Sequence, residues 1–225
     1  MTYYTSGFPK FSIEKPVKYP YNPKYKETFA RKQKSGKWYG ELKLNEHRGF
    51  ICFDEHGVPI FYSHTGNIVR IVGDALERLA KSEIPPSSVL DAGHLYRTSL
   101  GDTRLWIFDV LVLDGEKVDK PFDHRKFILD NTIRTDELVW RPLGTDFWLK
   151  EFEDMMVDNS SLIKRASMQY GVPYDKLKIL IEGLVLKRKS GVLTYPSQIT
   201  KVGNFLKMRL GDLKNSLRPD YIRPL

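Results

Sequence analysis

Lys43 lies in a stretch whose residue types suit nucleophilic chemistry. Residues 40–48 read GELKLNEHR. A lysine attacks only as its neutral amine, a form that neighbouring cations and partial burial favour. If this stretch is a strand, Glu41 and Lys43 share one face, and Leu42 and Leu44 point to the other. The apolar face would then anchor the strand, while the polar face would present Lys43 to a cleft.

Two later stretches carry groups that can bind metal and phosphate. Residues 182–187 read EGLVLK, with an acid and a lysine at the ends of an apolar run. Mg²⁺ prefers one or two carboxylates together with substrate phosphates, which suits Glu182. Lys187 can neutralise the charge that grows on an α-phosphate. Further on, Lys207 and Arg209 share one face of a predicted strand, so both can contact a triphosphate.

Taken in this order, these stretches resemble the covalent nucleotidyltransferases, the superfamily of ATP-dependent DNA and RNA ligases and mRNA capping enzymes. The first motif of that superfamily is Lys-x-Asp-Gly-x-Arg, and this chain keeps Lys43 and Arg48. A later motif, Glu-Gly-φ-Val-φ-Lys with φ an apolar residue, is matched completely by residues 182–187. Residues 205–209, FLKMR, resemble the last motif of the adenylation domain, with Arg209 in place of a second lysine.

Two further segments strengthen the resemblance. Residues 105–115, LWIFDVLVLDG, look like the ligase strand whose aromatic residue stacks on adenine, a role that falls on Phe108. Residues 121–129, PFDHRKFIL, resemble a segment that follows this strand in many DNA ligases, which favours a DNA ligase over an RNA ligase or a capping enzyme. The resemblance implies that Lys43 is the catalytic residue that forms a phosphoramidate with AMP, and that Glu182 holds Mg²⁺. It implies the following ATP-binding residues: Glu41 (adenine), Leu42, Arg48 (ribose or a nucleic-acid phosphate), His94, Phe108, Lys187, Lys207 and Arg209.

Several positions depart from the superfamily pattern. Asn45 and Glu46 replace the aspartate and the glycine of the first motif. His64 stands at an arginine position, and His94 falls where a glutamate binds the ribose hydroxyls. Asp91 is not expected to replace that glutamate, because residues three apart on a strand point to opposite faces. These departures keep open a degenerate domain that binds nucleotide or nucleic acid without catalysis, and Asn45 would also suit an RNA ligase.

Positive charge is concentrated at the N-terminus. The net charge is +8, and residues 1–39 hold +7 of it, from nine Lys/Arg and two acids, while the remaining 27 Lys/Arg and 26 acids nearly cancel. Aromatic residues are interleaved with these lysines. Basic groups bind phosphates, and aromatic faces can stack on bases. Residues 1–37 are therefore predicted to be a nucleic-acid-binding arm; the alternative is a solvated arm whose aromatics dock on the core.

Short strands and helices must position these groups. The apolar patterns predict a hairpin turn over residues 54–57 and an N-cap at Asp123. The pattern lacks a βαβ rhythm and a Gly-rich phosphate loop, so side-chain cations would have to hold the phosphates of ATP. These features predict an α+β nucleotidyltransferase (ligase adenylation) fold over residues 38–225, mostly antiparallel sheet flanked by helices. The predicted strands are 38–44, 49–53, 59–63, 88–96, 104–113, 179–187 and 205–210, and the predicted helices are 74–81, 124–133 and one or two within 147–170.

The remaining features bear on compartment and partners. The apolar runs are far shorter than the roughly 18 residues of a membrane span, and the N-terminus lacks a signal-peptide layout. The single cysteine, Cys52, fits a reducing compartment, so a cytoplasmic protein is expected, in the host cytoplasm if viral. Most DNA ligases continue into an OB-fold domain that clamps the duplex, and only 16 residues follow Arg209. We therefore expect a minimal, viral-type ligase that binds nicked double-stranded DNA, or RNA, through its arm or through a protein partner that supplies the clamping.

Overall fold

The computed structural model describes residues 16–95, 102–193 and 203–210, which fall into two compact units. The inner unit comprises residues 46–141 with 192–193, and the outer unit comprises residues 16–45, 142–191 and 203–210. The names refer to position along the chain, because the inner unit is inserted between segments of the outer one. Each unit has its own sheet.

The outer unit is built on a five-stranded sheet with helices α1 and α4–α6. Numbered in chain order, its elements are β1 (Val17–Lys18), a 3-10 turn (Pro23–Tyr25), α1 (Lys26–Lys34), β2 (Trp38–Leu44), β9 (Gly144–Thr145), α4 (Trp148–Met156), α5 (Ser161–Tyr170), α6 (Tyr174–Leu180), β10 (Ile181–Arg188) and β11 (Phe205–Arg209). The strand order is β1-β11-β10-β2-β9, and every pair is antiparallel except β1 with β11.

Alternation along β2 fixes which of its side chains enter the core. Leu42 and Leu44 are almost fully buried, while Lys43 between them is only partly so. Helix α4 packs against β2 and β10. A Cβ at Gly40 would lie 2.4 Å from the Cβ of Trp148, so a glycine is required where α4 approaches β2. Leu42 and Leu44 therefore anchor β2 as predicted, whereas Glu41 on the other face is buried as well.

The part of the basic arm that the structure describes folds onto the outer unit. Phe29 of α1 is buried, with its ring 4.9 Å from that of Tyr19 and 5.1 Å from that of Tyr21. Tyr21 also lies 5.6 Å from Phe152 of α4 and donates a hydrogen bond to Glu153 at 2.7 Å. Tyr19, Tyr21 and Phe29 therefore pack against the outer unit, which agrees with the alternative that the aromatic residues of the arm dock on the core.

The inner unit is built on a larger sheet with two helices, α2 and α3. Its elements are β3 (His47–Phe53), β4 (Pro59–Ser63), α2 (Ala75–Leu79), β5 (Val89–Leu95), β6 (Arg104–Leu113), β7 (Glu116–Lys117), α3 (Phe122–Thr132) and β8 (Val139–Trp140). The strand order is β4-β3-β5-β6-β7, and β8 pairs with β6 in parallel. Its core includes Ile51, Leu79, Leu90, Ile107 and Leu129, all buried between the sheet and these helices.

The segment that resembles a DNA-ligase feature contributes a buried ion pair. Arg125 of α3 is fully buried and donates to both carboxylate oxygens of Asp109 on β6, at 2.7 and 3.0 Å. It also donates to the carbonyl oxygen of Lys120 at 2.5 Å. A buried guanidinium requires partners of this kind, because its desolvation is costly. The pair therefore ties α3 to the sheet.

The predicted elements agree with the structure for the long strands and differ at helix boundaries. Helix α3 begins at Phe122 with Pro121 as its N-cap residue, so the prediction of Asp123 as the N-cap is wrong. The carbonyl oxygen of Pro121 accepts from the backbone N–H of Arg125, and Asp123 lies in the first turn, where a negative charge is favoured by the helix dipole. Helix α6 is not predicted by the sequence pattern, and it occupies residues 179 and 180, which that pattern assigns to a strand. Within the described residues, no helix has the length and the apolar character needed to cross a membrane.

Candidate functional site

Lys43 and Glu182 lie side by side on neighbouring strands of the outer unit. The Lys43 Nζ is 3.1 Å from the Glu182 Oε2 and donates a hydrogen bond to the carbonyl oxygen of Leu44 at 3.0 Å. The two side chains are 14% and 12% exposed, so solvent reaches them while most of their surface is buried. The structure thus brings together the predicted nucleophile and the predicted metal ligand.

A bulge in β10 positions Glu182. The register of β10 against β2 shifts between Ile181 and Gly183. Gly183 has φ of 144°, and a Cβ there would lie 2.0 Å from the carbonyl oxygen of Met208 on β11. Only glycine fits this position, because both the backbone angle and the close approach exclude a side chain. A bulge re-aims the side chains around it, which here places Glu182 beside Lys43.

Two cations of β11 complete what we call the Lys43 cluster, namely Lys43, Glu182, Lys207 and Arg209. Arg209 pairs with Gly183 across the ladder, and its Nε is 3.3 Å from the Glu182 Oε2. The pKa of Lys207 is lowered, first by burial and then by the positive charges of Arg209, Lys43 and Lys18, and Glu182 offsets only part of this. The cluster therefore carries a surplus of positive charge, which suits a polyanionic ligand.

Glu41 and Lys187 form a separate buried pair in the same sheet. The Lys187 Nζ is 2.9 Å from the Glu41 Oε2, and the side chains are 5% and 3% exposed. Their predicted contacts with adenine and with the α-phosphate are untested, and in the structure each is the partner of the other. Leu42 has its side chain in the core and its backbone N–H bonded to the carbonyl oxygen of Leu143 at 2.9 Å.

In the inner unit, Arg48 makes a two-pronged ion pair with Asp91. Its Nε and one terminal nitrogen donate to the two carboxylate oxygens of Asp91 at 2.9 and 2.6 Å. Burial alone would lower the pKa of Arg48, but Asp91 raises it through charge and hydrogen bonding, with Glu46 and Asp109 adding to the effect. Arg48 therefore stays charged. Sequence reasoning did not identify Asp91 as its partner, because the pairing depends on the β3–β5 register.

Phe108 and Glu46 converge over Gly93. A bulge interrupts the β5–β6 ladder between Asp91 and Ala92, where β6 contributes the additional residue Phe108. A Cβ at Gly93 would be 2.4 Å from the Cγ of Glu46 and 3.1 Å from the Cζ of Phe108. The missing side chain at Gly93 thus makes room for an acid and a half-buried ring, which could contact a nucleoside. Glu46 was not predicted as a site residue.

His94 follows Gly93 on β5 and so points to the opposite face of the strand. Its ring stacks on His47 with centroids 5.2 Å apart and meets the edge of Phe61 at 5.1 Å. Burial, and secondarily the neighbouring His47, lower the pKa of His94 to about 4, so it is neutral at physiological pH. Its contact with ribose stays a prediction. His64 is exposed in the turn after β4.

Replacing His94 with glutamine should reduce the loss in free energy of unfolding that the wild type shows at acidic pH. The folded pKa of about 4 lies below the ordinary 6.5, so the unfolded chain binds more protons between these values and stability falls as the pH drops through that window. Because the ring is only half-buried, we expect the wild type to lose about 1–2 kcal/mol of unfolding free energy across this pH window through His94. Urea unfolding at neutral and acidic pH measures it, with the exposed His64→Gln as control. An identical acid loss in wild type and His94→Gln would contradict the assignment.

The donor groups fit a magnesium ion that is bound mainly by phosphates. Within residues 16–95, 102–193 and 203–210 there is no group of three or more His, Cys, Asp or Glu side chains arranged to hold a metal. Glu182 supplies one carboxylate in the Lys43 cluster. Magnesium keeps several waters and is usually bound through one or two carboxylates and the substrate phosphates, so one carboxylate beside a group of cations fits an ion of this kind.

Comparison with known proteins places the fold among ligases. The sequence matches no protein-family model and no curated protein. Solved structures similar to the chain include mycobacterial DNA ligase D complexed with ATP (17% identity, 76% of this chain and 54% of that chain, TM-score 0.46). They also include the structure named Pmar-Lig_Pre, which is 14% identical over 88% of this chain and 46% of that chain, with a TM-score of 0.55. The structure named Pmar-Lig_PreS3 is 14% identical over 89% of this chain and 47% of that chain, with a TM-score of 0.50. The chain spans about half the length of these structures.

The likeness to the two Pmar-Lig structures extends over nearly nine-tenths of this chain and concerns its fold. The prediction of an α+β ligase adenylation fold with mostly antiparallel sheets and flanking helices is confirmed.

Proposed function

We propose, from the ligase adenylation fold that the chain adopts, that it is an ATP-dependent polynucleotide ligase that seals nicks in DNA through a lysyl-AMP intermediate. The observation that carries the proposal is the Lys43 cluster: Lys43 lies 3.1 Å from the carboxylate of Glu182, and Lys207 and Arg209 add positive charge on the same sheet. A domain that only binds nucleotide has no need of a lysine nucleophile among phosphate-binding cations.

In the first step, Lys43 attacks the α-phosphorus of ATP. Its ammonium group must first lose a proton to solvent, and the Glu182 carboxylate, 3.1 Å from the Nζ, holds the side chain in place. The nitrogen lone pair then forms the N–P bond, the bond from phosphorus to the bridging oxygen breaks, and pyrophosphate leaves as the nitrogen releases a second proton to solvent. Lys207 and Arg209 stabilise the charge that develops on the phosphates.

Glu182 would hold Mg²⁺ together with the phosphates of ATP. Bound there, the ion would neutralise phosphate charge and orient the α-phosphate. The chain's own contribution is to hold Glu182 beside Lys43 through the β10 bulge, so that a carboxylate suited to the ion stands next to the attacking amine.

The next two steps transfer AMP to a 5′-phosphate and then displace it. An oxygen of the 5′-phosphate attacks the AMP phosphorus, and the N–P bond breaks as the nitrogen takes up a proton from solvent, which returns the amine of Lys43. A 3′-hydroxyl then attacks the activated 5′-phosphate, and AMP leaves as the strand is joined. Such an activity would serve DNA repair or replication. In the inner unit, the proposal retains Phe108 for adenine stacking and Arg48 for ribose or phosphate. It also retains His94 as an ATP-binding residue, which would have to reach the nucleotide from the other face of β5.

The basic arm is the proposed contact with nicked double-stranded DNA. In its described part, five exposed cations face solvent around α1 against a single acid, Glu27; they are Lys24, Lys26, Arg31, Lys34 and Lys37. Because Phe29 and its tyrosine neighbours are packed inside, this contact rests on phosphate neutralisation and lacks base stacking by those rings. A protein partner that helps to clamp the duplex remains part of the proposal.

Two alternatives differ in substrate or in chemistry. An RNA ligase is favoured by Asn45 in place of the aspartate of the first motif. A degenerate domain that binds nucleotide or nucleic acid without catalysis is favoured by His64 and His94 at positions that the superfamily fills with arginine and glutamate.

Incubation with ATP and Mg²⁺, followed by intact-mass analysis, tests the proposal. We expect a mass increase of one AMP with ATP and none of one GMP with GTP. The adenylated protein is then offered a nicked DNA duplex and a matched nicked RNA duplex, and sealing of the DNA is expected. Sealing of RNA alone would select the RNA ligase, while nucleotide binding without any covalent product would select the degenerate domain.

A further inference from the structure

We propose that Lys18 is an additional phosphate-binding residue of the Lys43 cluster and contacts the terminal phosphates of ATP, which leave as pyrophosphate. The inference rests on the proposed function. Lys18 lies in the two-residue strand β1, which pairs in parallel with β11 so that Lys18 stands opposite Lys207. The backbone N–H of Tyr19 donates to the carbonyl oxygen of Lys207 at 2.9 Å, which fixes this register.

The ladder places Lys18 on the same face of the sheet as the cluster. Residues that stand opposite each other in neighbouring strands point to the same side. Lys18 stands opposite Lys207, Lys207 opposite Val185, and Val185 opposite Glu41, which shares its face of β2 with Lys43. The lowered pKa of Lys207, to which both Lys43 and Lys18 contribute, agrees with this arrangement.

The order of the strands assigns Lys18 to one end of the polyphosphate. Lys43 lies on β2, Lys207 two strands away on β11, and Lys18 beyond it on β1. Three strand spacings of about 4.8 Å separate the backbones of β2 and β1 by roughly 14 Å, and long side chains from both ends shorten that gap. An α-phosphate at Lys43 therefore directs the β- and γ-phosphates towards Lys207 and Lys18.

The charges on this face favour a ligand over a structural role. Among the described residues of this face, five cations (Lys18, Lys43, Lys187, Lys207 and Arg209) stand beside two carboxylates, and the Glu41 carboxylate is already paired with Lys187 at 2.9 Å. Like charges directly opposite each other in a sheet repel, and Lys18 stands directly opposite Lys207. A polyphosphate offsets this repulsion. The competing explanation is an edge lysine that only prevents strand-to-strand aggregation.

Nucleotide binding by Lys18→Gln in the presence of EDTA, which prevents turnover, separates these explanations. We expect affinity for ATP and for tripolyphosphate to fall about 10-fold and affinity for AMP to change less than about 2-fold, because only the terminal phosphates lose a charge-assisted contact. Lys18→Arg should retain most of the ATP affinity. Lys176→Gln, an exposed lysine of α6, is the matched control. Lys18→Gln should fold with a thermal stability close to that of the wild type, because residue 18 is exposed and its substitution leaves the core unchanged.

The outcomes separate this inference from the proposed function. Equal affinities of wild type and Lys18→Gln for ATP, or an equal loss for ATP and AMP, would overturn the role of Lys18 while wild-type labelling by ATP stands. A loss seen only with a 5′-phosphorylated oligonucleotide would assign Lys18 to nucleic acid and also overturn it. A wild-type protein that neither binds nor is labelled by ATP would instead refute the proposed function.

Discussion

Lys43→Arg should abolish covalent labelling by ATP and leave ATP binding largely intact. An arginine keeps the positive charge beside Glu182, so the cluster retains its ion pair and its affinity for phosphates. A guanidinium stays protonated at any working pH and has no lone pair to attack phosphorus. Labelling is measured by intact mass after incubation with ATP and Mg²⁺, and binding by titration of the same variant. We expect no detectable AMP adduct, against stoichiometric labelling of the wild type.

The competing nucleophile is Lys207, so the position of the adduct must be mapped. The lowered pKa of Lys207, caused first by burial and then by neighbouring cations, increases its neutral fraction relative to an ordinary lysine. Lys207→Arg is therefore the matched variant. It should remain labelled at Lys43, at a reduced rate. An adduct that persists in Lys43→Arg and disappears in Lys207→Arg would transfer the catalytic role to Lys207.

The long strands could be predicted because their sequences alternate or remain apolar over many residues. Strands β2, β4 and β6 have the predicted limits, and the turn at residues 54–57 joins β3 to β4 as predicted. Short helices could not be predicted in the same way. Helix α6 has one fully buried residue, Leu177, and its apolar residues run directly into β10, so the two elements form one continuous pattern in the sequence.

The sequence identified candidate site residues, but it did not identify the residues that they contact. The pairing of Lys43 with Glu182 follows from two motifs on adjacent strands, and the sequence alone suggested both. The partners of Glu41 and Arg48 depend on strand register, which no single stretch encodes. For the same reason the sequence places Lys18 only in the nucleic-acid-binding arm, although the structure sets it opposite Lys207.

Breaking the Glu41–Lys187 pair should destabilise the outer unit far more than breaking an exposed ion pair of the same unit. Both side chains are at most 5% exposed and lie 2.9 Å apart. Removing one partner takes away the buried counter-charge of the other, which typically costs about 3–5 kcal/mol. We expect a loss of this size for Glu41→Leu and for Lys187→Met, measured as the change in free energy of unfolding from urea titrations at neutral pH.

The double variant Glu41→Leu/Lys187→Met distinguishes a structural pair from two ligand-binding residues. Replacing a buried ion pair by apolar residues of similar volume is often neutral or stabilising, so the double variant should recover most of the stability lost in either single variant. The more exposed pair Lys189–Asp146 serves as control, and its disruption should have little effect. If instead each single variant keeps wild-type stability and loses ATP affinity, Glu41 and Lys187 act on the nucleotide separately, as the sequence motifs imply. Recovery of stability without recovery of labelling would mean that the buried pair both holds β2 against β10 and supplies groups that ATP requires.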